Sequence, residues 1–397
     1  MFTHLELYGG DPIFRLNEQY QADARQPKVN LTIGLYCDGN GRVPLLPSVL
    51  SAEQLCAQRK QPRTYLPMEG LATYNDAVQR LVFGEDCPAL AEGRVASIQT
   101  LGGTGALKIG GDFLHLAYPD AEMWISDPAW DNHHAIFQGA RVPTHSYRYY
   151  DAATRGLDFE GLVADLSALP RHSIVLLHPC CHNPTGVDLT PAQWDQVIDL
   201  LQRQQLIPFL DMAYQGFGQG LAEDAYAVRA MARAGLTFLV ANSFSKNFSY
   251  YSERCGGLHI VCQNAAEAER VLGQLRAAVR RVYSNPPVHG AQAISEVLHS
   301  DGLFAQWQAE VGQMRQRIAT MRQAVYDQLQ TKAPHYDASH FIRQQGMFCY
   351  TGLSSEQVTR LREEFAVYLL ASGRISVPGL NTENVSYFTD ALAEVVR

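Results

Sequence analysis

Short hydrophobic runs alternate with amphipathic helical patterns through the middle of the chain. The hydrophobic runs cover residues 95–99, 123–126, 173–178, 207–211, 236–242 and 257–261, and residues 191–204 between two of them have helical spacing. Such alternation is typical of a mostly parallel sheet covered by helices on both faces. The pattern therefore predicts an α/β fold.

The pattern changes after the Pro286-Pro287 pair. Residues 291–298 and 304–329 have the spacing of amphipathic helices, and the second stretch is long enough to connect two domains. Strands at 347–350 and 375–377, with helices at 354–365 and 382–396, predict a smaller α+β domain. A chain of 397 residues also exceeds the size at which a single core usually divides.

The charge balance argues against a polyanionic partner. The chain has 32 basic and 40 acidic residues, a formal net charge of −8, and no block of lysine or arginine. Nucleic acid and anionic membrane are therefore not expected as partners. The eight cysteines include no Cys-x-x-Cys, and neither a signal peptide nor a membrane-spanning run is visible, so we expect a cytoplasmic protein with reduced thiols.

Lys246 is the strongest candidate for covalent chemistry. It follows an apolar run and lies close to Ser243, Ser245 and Arg254. A desolvated lysine has a lowered pKa and can form a Schiff base, while hydroxyls and a guanidinium can hold phosphate oxygens. This pattern suits a phosphorylated aldehyde. Ser-x-x-Lys alone also fits a surface lysine in a polar turn.

Asp211 and Tyr214 follow another apolar run, 207–210. Ligands of open α/β sheets bind at the carboxyl ends of strands, which is where Asp211 is expected. A carboxylate there can keep a pyridine nitrogen protonated, and the Tyr214 phenol can hydrogen-bond a ring hydroxyl. The alternative role for Asp211 is to cap the next helix.

A glycine-rich segment, residues 100–108, joins a predicted strand to a predicted helix and contains Gly103 and Thr104. Free backbone N–H groups at the start of a helix, together with the Thr104 hydroxyl, can hold an anion. The segment has neither the Gly-Lys-Ser/Thr of a P-loop nor the Gly-x-Gly-x-x-Gly of a dinucleotide site, which argues against an NAD-dependent dehydrogenase. A purely steric turn remains the alternative.

Residues 178–186 combine two histidines, Cys180 and Cys181 with an Asn-Pro-Thr-Gly sequence. Side chains of adjacent residues in an extended chain point to opposite faces, so the two cysteines are not expected to converge on one metal ion. We therefore predict no metal site and take the Asn183 amide as the functional group. A simple turn at this position is the alternative.

These four segments each lie beyond a hydrophobic run. In their fixed order along the chain, they resemble the aspartate aminotransferase family of pyridoxal-phosphate enzymes, fold type I. The likeness runs from residue 11 to the final helix. Residues 33–36, 65–70 and 256–258 look most like the bacterial aromatic-amino-acid (tyrosine) aminotransferases. The resemblance implies an N-terminal segment (1–40) that joins a small domain (311–397), and a large cofactor-binding domain (41–310).

The resemblance also implies a complete site. Lys246, Asp211, Tyr214 and Trp130 are its catalytic residues. The residues that it implies for cofactor binding are Gly103, Thr104, Trp130, Asn183, Asp211, Tyr214, Ser243, Ser245, Lys246, Arg254 and Tyr65. The residues that it implies for substrate binding are Gly34, Trp130, Asn183, Arg280 and Arg374. Without the resemblance, Arg374 fits an interdomain salt bridge, Arg280 a solvated helix face and Trp130 a core position.

The implied reaction moves an amino group between tyrosine or phenylalanine and 2-oxoglutarate, with aspartate and glutamate also accepted. The cofactor is pyridoxal 5'-phosphate, and the enzyme is a homodimer in which Tyr65 and Arg280 reach the neighbouring subunit's site. Aspartate aminotransferase proper, another reaction on the same cofactor, and a non-enzymatic binding module on this fold are the alternatives. Asp127-Pro128 and Asn183-Pro184 match positions of cis peptide bonds in relatives.

Overall fold

The computed structural model describes residues 1–7 and 9–397. The chain divides into two compact units, one formed by residues 1–43 with 317–397 and the other by residues 44–316. The strands are β1 (Val29–Asn30), β2 (Val95–Leu101), β3 (Met123–Asp127), β4 (Thr144–Arg148), β5 (Tyr150–Asp151), β6 (Gly156–Leu157), β7 (Ile174–Leu177), β8 (Ile207–Met212), β9 (Phe238–Ser243), β10 (Cys255–Val261), β11 (Phe348–Tyr350), β12 (Val367–Tyr368) and β13 (Arg374–Ser376).

Helices account for most of the remaining regular structure. They are α1 (Pro12–Ala22), α2 (Pro47–Gln58), α3 (Ala72–Phe83), α4 (Pro88–Ala91), α5 (Gly102–Ala117), α6 (Asn132–Gly139), α7 (Phe159–Ser167), α8 (Pro191–Gln204), α9 (Tyr226–Arg233), α10 (Ala265–Val282), α11 (His289–His299), α12 (Asp301–Lys332), α13 (His340–Arg343), α14 (Ser355–Phe365) and α15 (Val385–Val395). None of them, within the described ranges, is both long and apolar enough to cross a membrane.

The unit of residues 44–316 contains a seven-stranded sheet in the order β2-β10-β9-β8-β7-β3-β4. Strand β10 runs antiparallel to both of its neighbours, and every other pair is parallel, so the predicted mostly parallel sheet is confirmed. Six of the seven strands coincide with predicted hydrophobic runs. Strand β4 was not predicted because it is an edge strand whose side chains are mostly exposed, and it therefore has no apolar run.

Helices cover both faces of this sheet. On β10, Leu258 and Ile260 belong to a core that also contains residues of α5, α6 and α10, whereas His259 between them lies against Phe83 of α3. Local signals fix the helices: α8 begins at Pro191 after a capping box in which Thr190 and Gln193 bond each other's backbone. Helix α8 has the bounds that its spacing predicts.

The other unit contains two small sheets, with β11 antiparallel to β13 and β1 parallel to β12. The β1–β12 pair joins the N-terminal segment to the C-terminal part of the chain. Arg322, buried on α12, donates to the carbonyl oxygens of Phe341, Gly346 and Phe348. These bonds satisfy backbone groups that would otherwise be buried without partners.

Candidate active site

The carboxyl ends of β3, β7, β8 and β9 lie along one edge of the sheet, because these four parallel strands are neighbours. Trp130 follows β3, and Asn183 follows β7. Asp211 and Tyr214 lie at the end of β8, and Lys246 follows β9. Ligands of open α/β sheets bind at this edge. The fold therefore gathers five predicted site residues that lie far apart in the sequence.

Asp211 is buried beside two histidines. His133 Nε2 lies 2.8 Å from Asp211 Oδ2, and His178 Nε2 lies 3.9 Å from the same oxygen. Burial alone would raise the pKa of Asp211, but the hydrogen bond from His133 and the positive charge around the carboxylate outweigh burial, so the pKa is lowered. Asp211 is therefore ionised at neutral pH and can hold a proton on a neighbouring ring nitrogen.

His178 and His182 are neutral at neutral pH. Burial lowers the pKa of His178 to about 4 and brings the pKa of His182 well below its usual range. The two ring nitrogens of His182 lie 2.9 Å from Ser126 Oγ and 2.8 Å from Thr185 Oγ1. These hydroxyls can each donate or accept, so they satisfy a neutral imidazole. Neither histidine therefore neutralises the negative charge of Asp211 at neutral pH.

Lys246 lies half-buried in the turn after β9. Its Nζ is 5.0 Å from the centroid of the Tyr214 ring, and its charge is among those that lower the pKa of Asp211. The next residue, Asn247, fixes the turn: its Nδ2 donates to the carbonyl of Gln215, and its own carbonyl accepts from Nε1 of Trp307. The amine is thereby held on a rigid element close to the phenol and the carboxylate.

Groups that can bind an anion converge where the turn after β9 meets the start of α5, and we call this arrangement the anion cup. Ser243 Oγ lies 3.2 Å from Ser245 Oγ, and Arg254 Nη1 donates to Ser245 Oγ over 3.2 Å. A Cβ atom on Gly102 would lie 2.7 Å from Arg254 Nη2, and one on Gly103 would lie 3.2 Å from Ser243 Cβ. Two hydroxyls, one guanidinium and a helix N-terminus therefore converge where glycine leaves room.

Thr104 and Trp130 are two further predicted site residues of this unit. Thr104 is the third residue of α5 and is half-buried. Trp130 packs edge-on against His133, with ring centroids 5.1 Å apart and planes at 87°. Both X-Pro bonds named from the sequence, Asp127-Pro128 and Asn183-Pro184, are cis, which confirms that expectation.

Arg374 and Gly34 meet at one aromatic ring in the unit of residues 1–43 and 317–397. Arg374 is 3% exposed; its Nη2 donates to the Thr32 carbonyl over 2.7 Å, and its guanidinium carbon lies 4.4 Å from the Phe348 ring centroid. A Cβ on Gly34 would lie 2.9 Å from Cζ of the same ring. The Phe348 ring and the Thr32 carbonyl therefore fix the plane of the guanidinium.

Tyr65 and Arg280 lie on the surface of the chain. Tyr65 is 90% exposed, an unusual position for a tyrosine that packs within its own chain. Arg280 is exposed in the last turn of α10, where its Nη1 donates to Ser284 Oγ. The structure therefore leaves both side chains accessible to a second molecule.

Sequence reasoning assigned no role to His133, although it donates the 2.8 Å hydrogen bond to Asp211. The available signal was its position in the first turn after the Asp127–Trp130 segment, where a polar ring follows a strand end. The expectation that Cys180 and Cys181 point apart was wrong: their sulfur atoms and a carboxylate oxygen of Asp224 lie within 4.8 Å of one another. Cys181 has a φ of 52°, so the chain there is not extended.

The Asp224 carboxylate already accepts three hydrogen bonds from the backbone. Asp224 accepts from the backbone N–H groups of Gly216, Gly218 and Gln219, at distances of 2.8 to 2.9 Å. Its oxygens thus hold a loop together and have little capacity left for an ion. The prediction of no metal at this place stays a prediction.

The comparisons with known proteins agree with this geometry. Residues 26–392 match the family described as aminotransferase class I and II. The chain is 54% identical to a tyrosine aminotransferase of Klebsiella pneumoniae and 55% identical to an aromatic-amino-acid aminotransferase of Escherichia coli (strain K12), each over 397 residues and the full length of both chains.

A solved structure extends the comparison to three dimensions. The aromatic-amino-acid aminotransferase of Burkholderia pseudomallei, solved covalently bound to pyridoxal phosphate, has a TM-score of 0.98 and 48% identity to this chain, with full coverage of both. Sequence and fold thus agree over the whole length. The chain belongs to the class I and II aminotransferase family.

Proposed function

We propose that this protein is a pyridoxal-phosphate-dependent aminotransferase that moves an amino group between tyrosine or phenylalanine and 2-oxoglutarate, and that it also accepts aspartate and glutamate. The observation that carries the proposal is a lysine amine on the same sheet edge as an ionised, buried carboxylate and an anion cup. The printed names of the most similar relatives favour aromatic substrates.

The residues present fit the cofactor. Gly102 leaves a space that a Cβ would fill, directly against the Arg254 guanidinium. Ser243, Ser245, Arg254 and the start of α5, with Gly103 and Thr104, would hold the phosphate. A phosphate dianion there would be bound by both hydroxyls and charge, which matches its chemistry. Tyr65 would reach the phosphate of a second copy of the chain in a homodimer.

Pyridoxal phosphate supplies, when bound, an electron sink that stabilises negative charge at the substrate's Cα. Asp211 would hold a proton on the ring nitrogen, and His133 favours the ionised form of Asp211. Asn183 and Tyr214 would hydrogen-bond the ring oxygen, and Trp130 would stack on the ring. The Lys246 amine would hold the cofactor through its aldehyde group and would move the substrate's Cα proton as a general base and acid.

Two arginines would select carboxylate substrates. Arg374 would bind the α-carboxylate with its planar fork, whose orientation is set by Phe348 and Thr32. Gly34 leaves room beside that ring. Arg280, from a second copy of the chain, would bind the distal carboxylate of aspartate or glutamate. Because leaving a buried cation unpaired is costly, Arg280 would swing out when an aromatic side chain enters.

Single half-reactions test this function. The purified protein, loaded with pyridoxal phosphate, is mixed with phenylalanine, tyrosine or aspartate while cofactor absorbance and the oxo acid product are measured. We expect conversion to the oxo acid with the amino group retained on the protein, and complete loss of turnover in Lys246→Ala. Lys108→Ala, which removes a lysine paired with Asp112 on α5, is the control.

Product identity separates the alternatives. Release of ammonia or carbon dioxide in place of the matching oxo acid would contradict transamination and favour elimination or decarboxylation. Turnover restricted to aspartate and glutamate would favour aspartate aminotransferase proper. Binding of the cofactor without any turnover would favour a non-enzymatic binding module.

A further inference from the structure

A cavity lies in the unit of residues 44–316, and none of the predicted site residues lines it. Its volume is about 1030 Å³, large enough for a small organic ligand. It lies between the end of α3, helix α9 and the junction of α11 and α12, and we call it the α3–α9 cavity. The residues that give it chemical character are Phe83, Arg229, Arg233, Leu298 and Phe304.

Arg229 and Arg233 place two positive charges in this cavity, one helical turn apart on α9, and the third arginine of the lining, Arg80, is paired with Asp76. Arg229 is half-buried, and its guanidinium donates to the carbonyls of Leu81 and Val82 over 3.3 and 3.5 Å. Among the residues that the structure describes, it forms no ion pair with a carboxylate. Burial, followed by the charge of Arg233, lowers the pKa of Arg229. An anion would therefore relieve a desolvated cation.

The rest of the lining limits what that anion is. Phe83, Leu298 and Phe304 supply apolar surface for a hydrophobic group. Glu85, Asp86 and Asp301 also line the cavity, so a polyanion such as a nucleotide would meet repulsion. A single carboxylate attached to an apolar group satisfies both parts of the lining.

We propose that the α3–α9 cavity binds a small monocarboxylate with an apolar side chain, a class that includes aromatic amino acids and aromatic oxo acids. This site is separate from the one that contains Lys246. It gives the enzyme a second place at which it can sense molecules of the same chemical class as its proposed substrates.

The cavity is connected to the Lys246 turn through one carbonyl oxygen. The carbonyl of Leu81 accepts from Arg229 Nη2 and also from Gln215 Nε2, over 3.3 and 3.2 Å. Gln215 in turn accepts at its own carbonyl from Asn247, the neighbour of Lys246. A carboxylate that draws Arg229 towards itself therefore changes the bonding of Gln215 and, through Asn247, the position of the lysine turn.

Calorimetric titration of the cofactor-loaded protein with 3-phenylpropanoate tests the binding. This probe has a carboxylate and a phenyl group but no amino group, so it is not consumed. We expect two sites per chain. In Arg233→Gln, we expect one of them to weaken at least tenfold, because one of two charges is lost, while the other is unchanged. The absence of an Arg233-dependent site, seen either as a single wild-type site that Arg233→Gln leaves unchanged or as two sites that Arg233→Gln leaves unchanged, overturns the proposal.

The choice of variants keeps the result interpretable. Arg233 is exposed, whereas Arg229 bonds the last turn of α3, so Arg233→Gln removes charge with less risk to the fold. Arg270→Gln removes an equally exposed arginine from α10, outside the cavity lining, and should keep both sites. A single wild-type site that weakens in Arg233→Gln contradicts the proposed function, because the Lys246 site does not bind the probe, and it leaves this inference standing.

Two further measurements identify the ligand of the α3–α9 cavity and the effect of that ligand on catalysis. Titrating Lys246→Ala with phenylalanine and with phenylpyruvate shows whether the amino acid or the oxo acid occupies the cavity, and binding of neither overturns the assignment of ligand class. In wild-type kinetics, 3-phenylpropanoate should change kcat as well as KM, and the kcat effect should disappear in Arg233→Gln but persist in Arg270→Gln. An unchanged kcat at saturation of the cavity refutes the connection to the Lys246 turn.

Discussion

Replacing Gly102 with alanine tests whether the Arg254 guanidinium holds the cofactor phosphate. Gly102 has a φ of +67°, and a Cβ there would lie 2.7 Å from Arg254 Nη2 and 3.0 Å from Cζ. The substitution therefore has two separate effects. It places a side chain in the left-handed backbone region, and it pushes the guanidinium out of the cup.

The two effects have different magnitudes and act on different measurements. The left-handed conformation costs about 1–2 kcal/mol in the free energy of unfolding. A charge-assisted hydrogen bond contributes about 1.5–3 kcal/mol, and 1.4 kcal/mol corresponds to a factor of ten in Kd. If Arg254 loses one such bond to the phosphate, Gly102→Ala should weaken pyridoxal phosphate binding roughly 10- to 150-fold.

Gly235 offers a matched control. Its φ is +75°, and a Cβ there would meet nothing within 4 Å, so Gly235→Ala carries the backbone cost without the clash. Each cofactor-free variant is titrated with pyridoxal phosphate by absorbance, and its thermal unfolding is recorded. Both variants should lose similar stability, but only Gly102→Ala should lose affinity. Wild-type affinity in Gly102→Ala, or an equal loss in Gly235→Ala, would refute the reasoning.

Three other substitutions test the electrostatics. His133→Phe removes the hydrogen bond that lowers the pKa of Asp211, so that pKa should rise and the acid limb of the kcat profile should move to higher pH; an unshifted profile contradicts this. Burial lowers the pKa of His259 to about 3, so stability is full above pH 6.5 and falls by about 1.4 kcal/mol per unit as pH drops towards 3. His259→Gln should flatten the dependence of Tm on pH in that window. Arg280→Gln should reduce kcat/KM for aspartate and glutamate far more than for phenylalanine, and equal losses exclude a distal-carboxylate role.

The arrangement of much of the candidate site was predictable because its residues follow strand ends. Asp211 and Lys246 each come directly after a hydrophobic run, and the rule that parallel strands end at one edge brings them together without knowledge of side-chain packing. The seven-stranded sheet follows from the same runs. Only β4, an exposed edge strand, lacks the apolar signal on which that reasoning depends.

Residues that act through tertiary packing were not predictable in this way. His133 lies 78 positions from Asp211 on a helix whose rotation the sequence does not fix. Cys181 adopts a left-handed φ that an extended-chain argument does not anticipate. The Leu81 carbonyl joins α3 to Gln215 across 134 positions. Each case depends on the backbone of one element meeting a side chain of another, which hydrophobic periodicity does not encode.

The histidines around Asp211 have different electrostatic roles. A buried carboxylate stays ionised only if nearby groups favour its charge, and His133 does so by a direct hydrogen bond of 2.8 Å. His178 lies only 3.9 Å away, but burial lowers its pKa to about 4, so it adds no full charge at neutral pH. An imidazolium at His178 would compete with a protonated ring nitrogen for the same oxygens. The neutrality of His178 therefore leaves Asp211 able to hold a proton on a ring nitrogen, which is the role that the proposed function gives it.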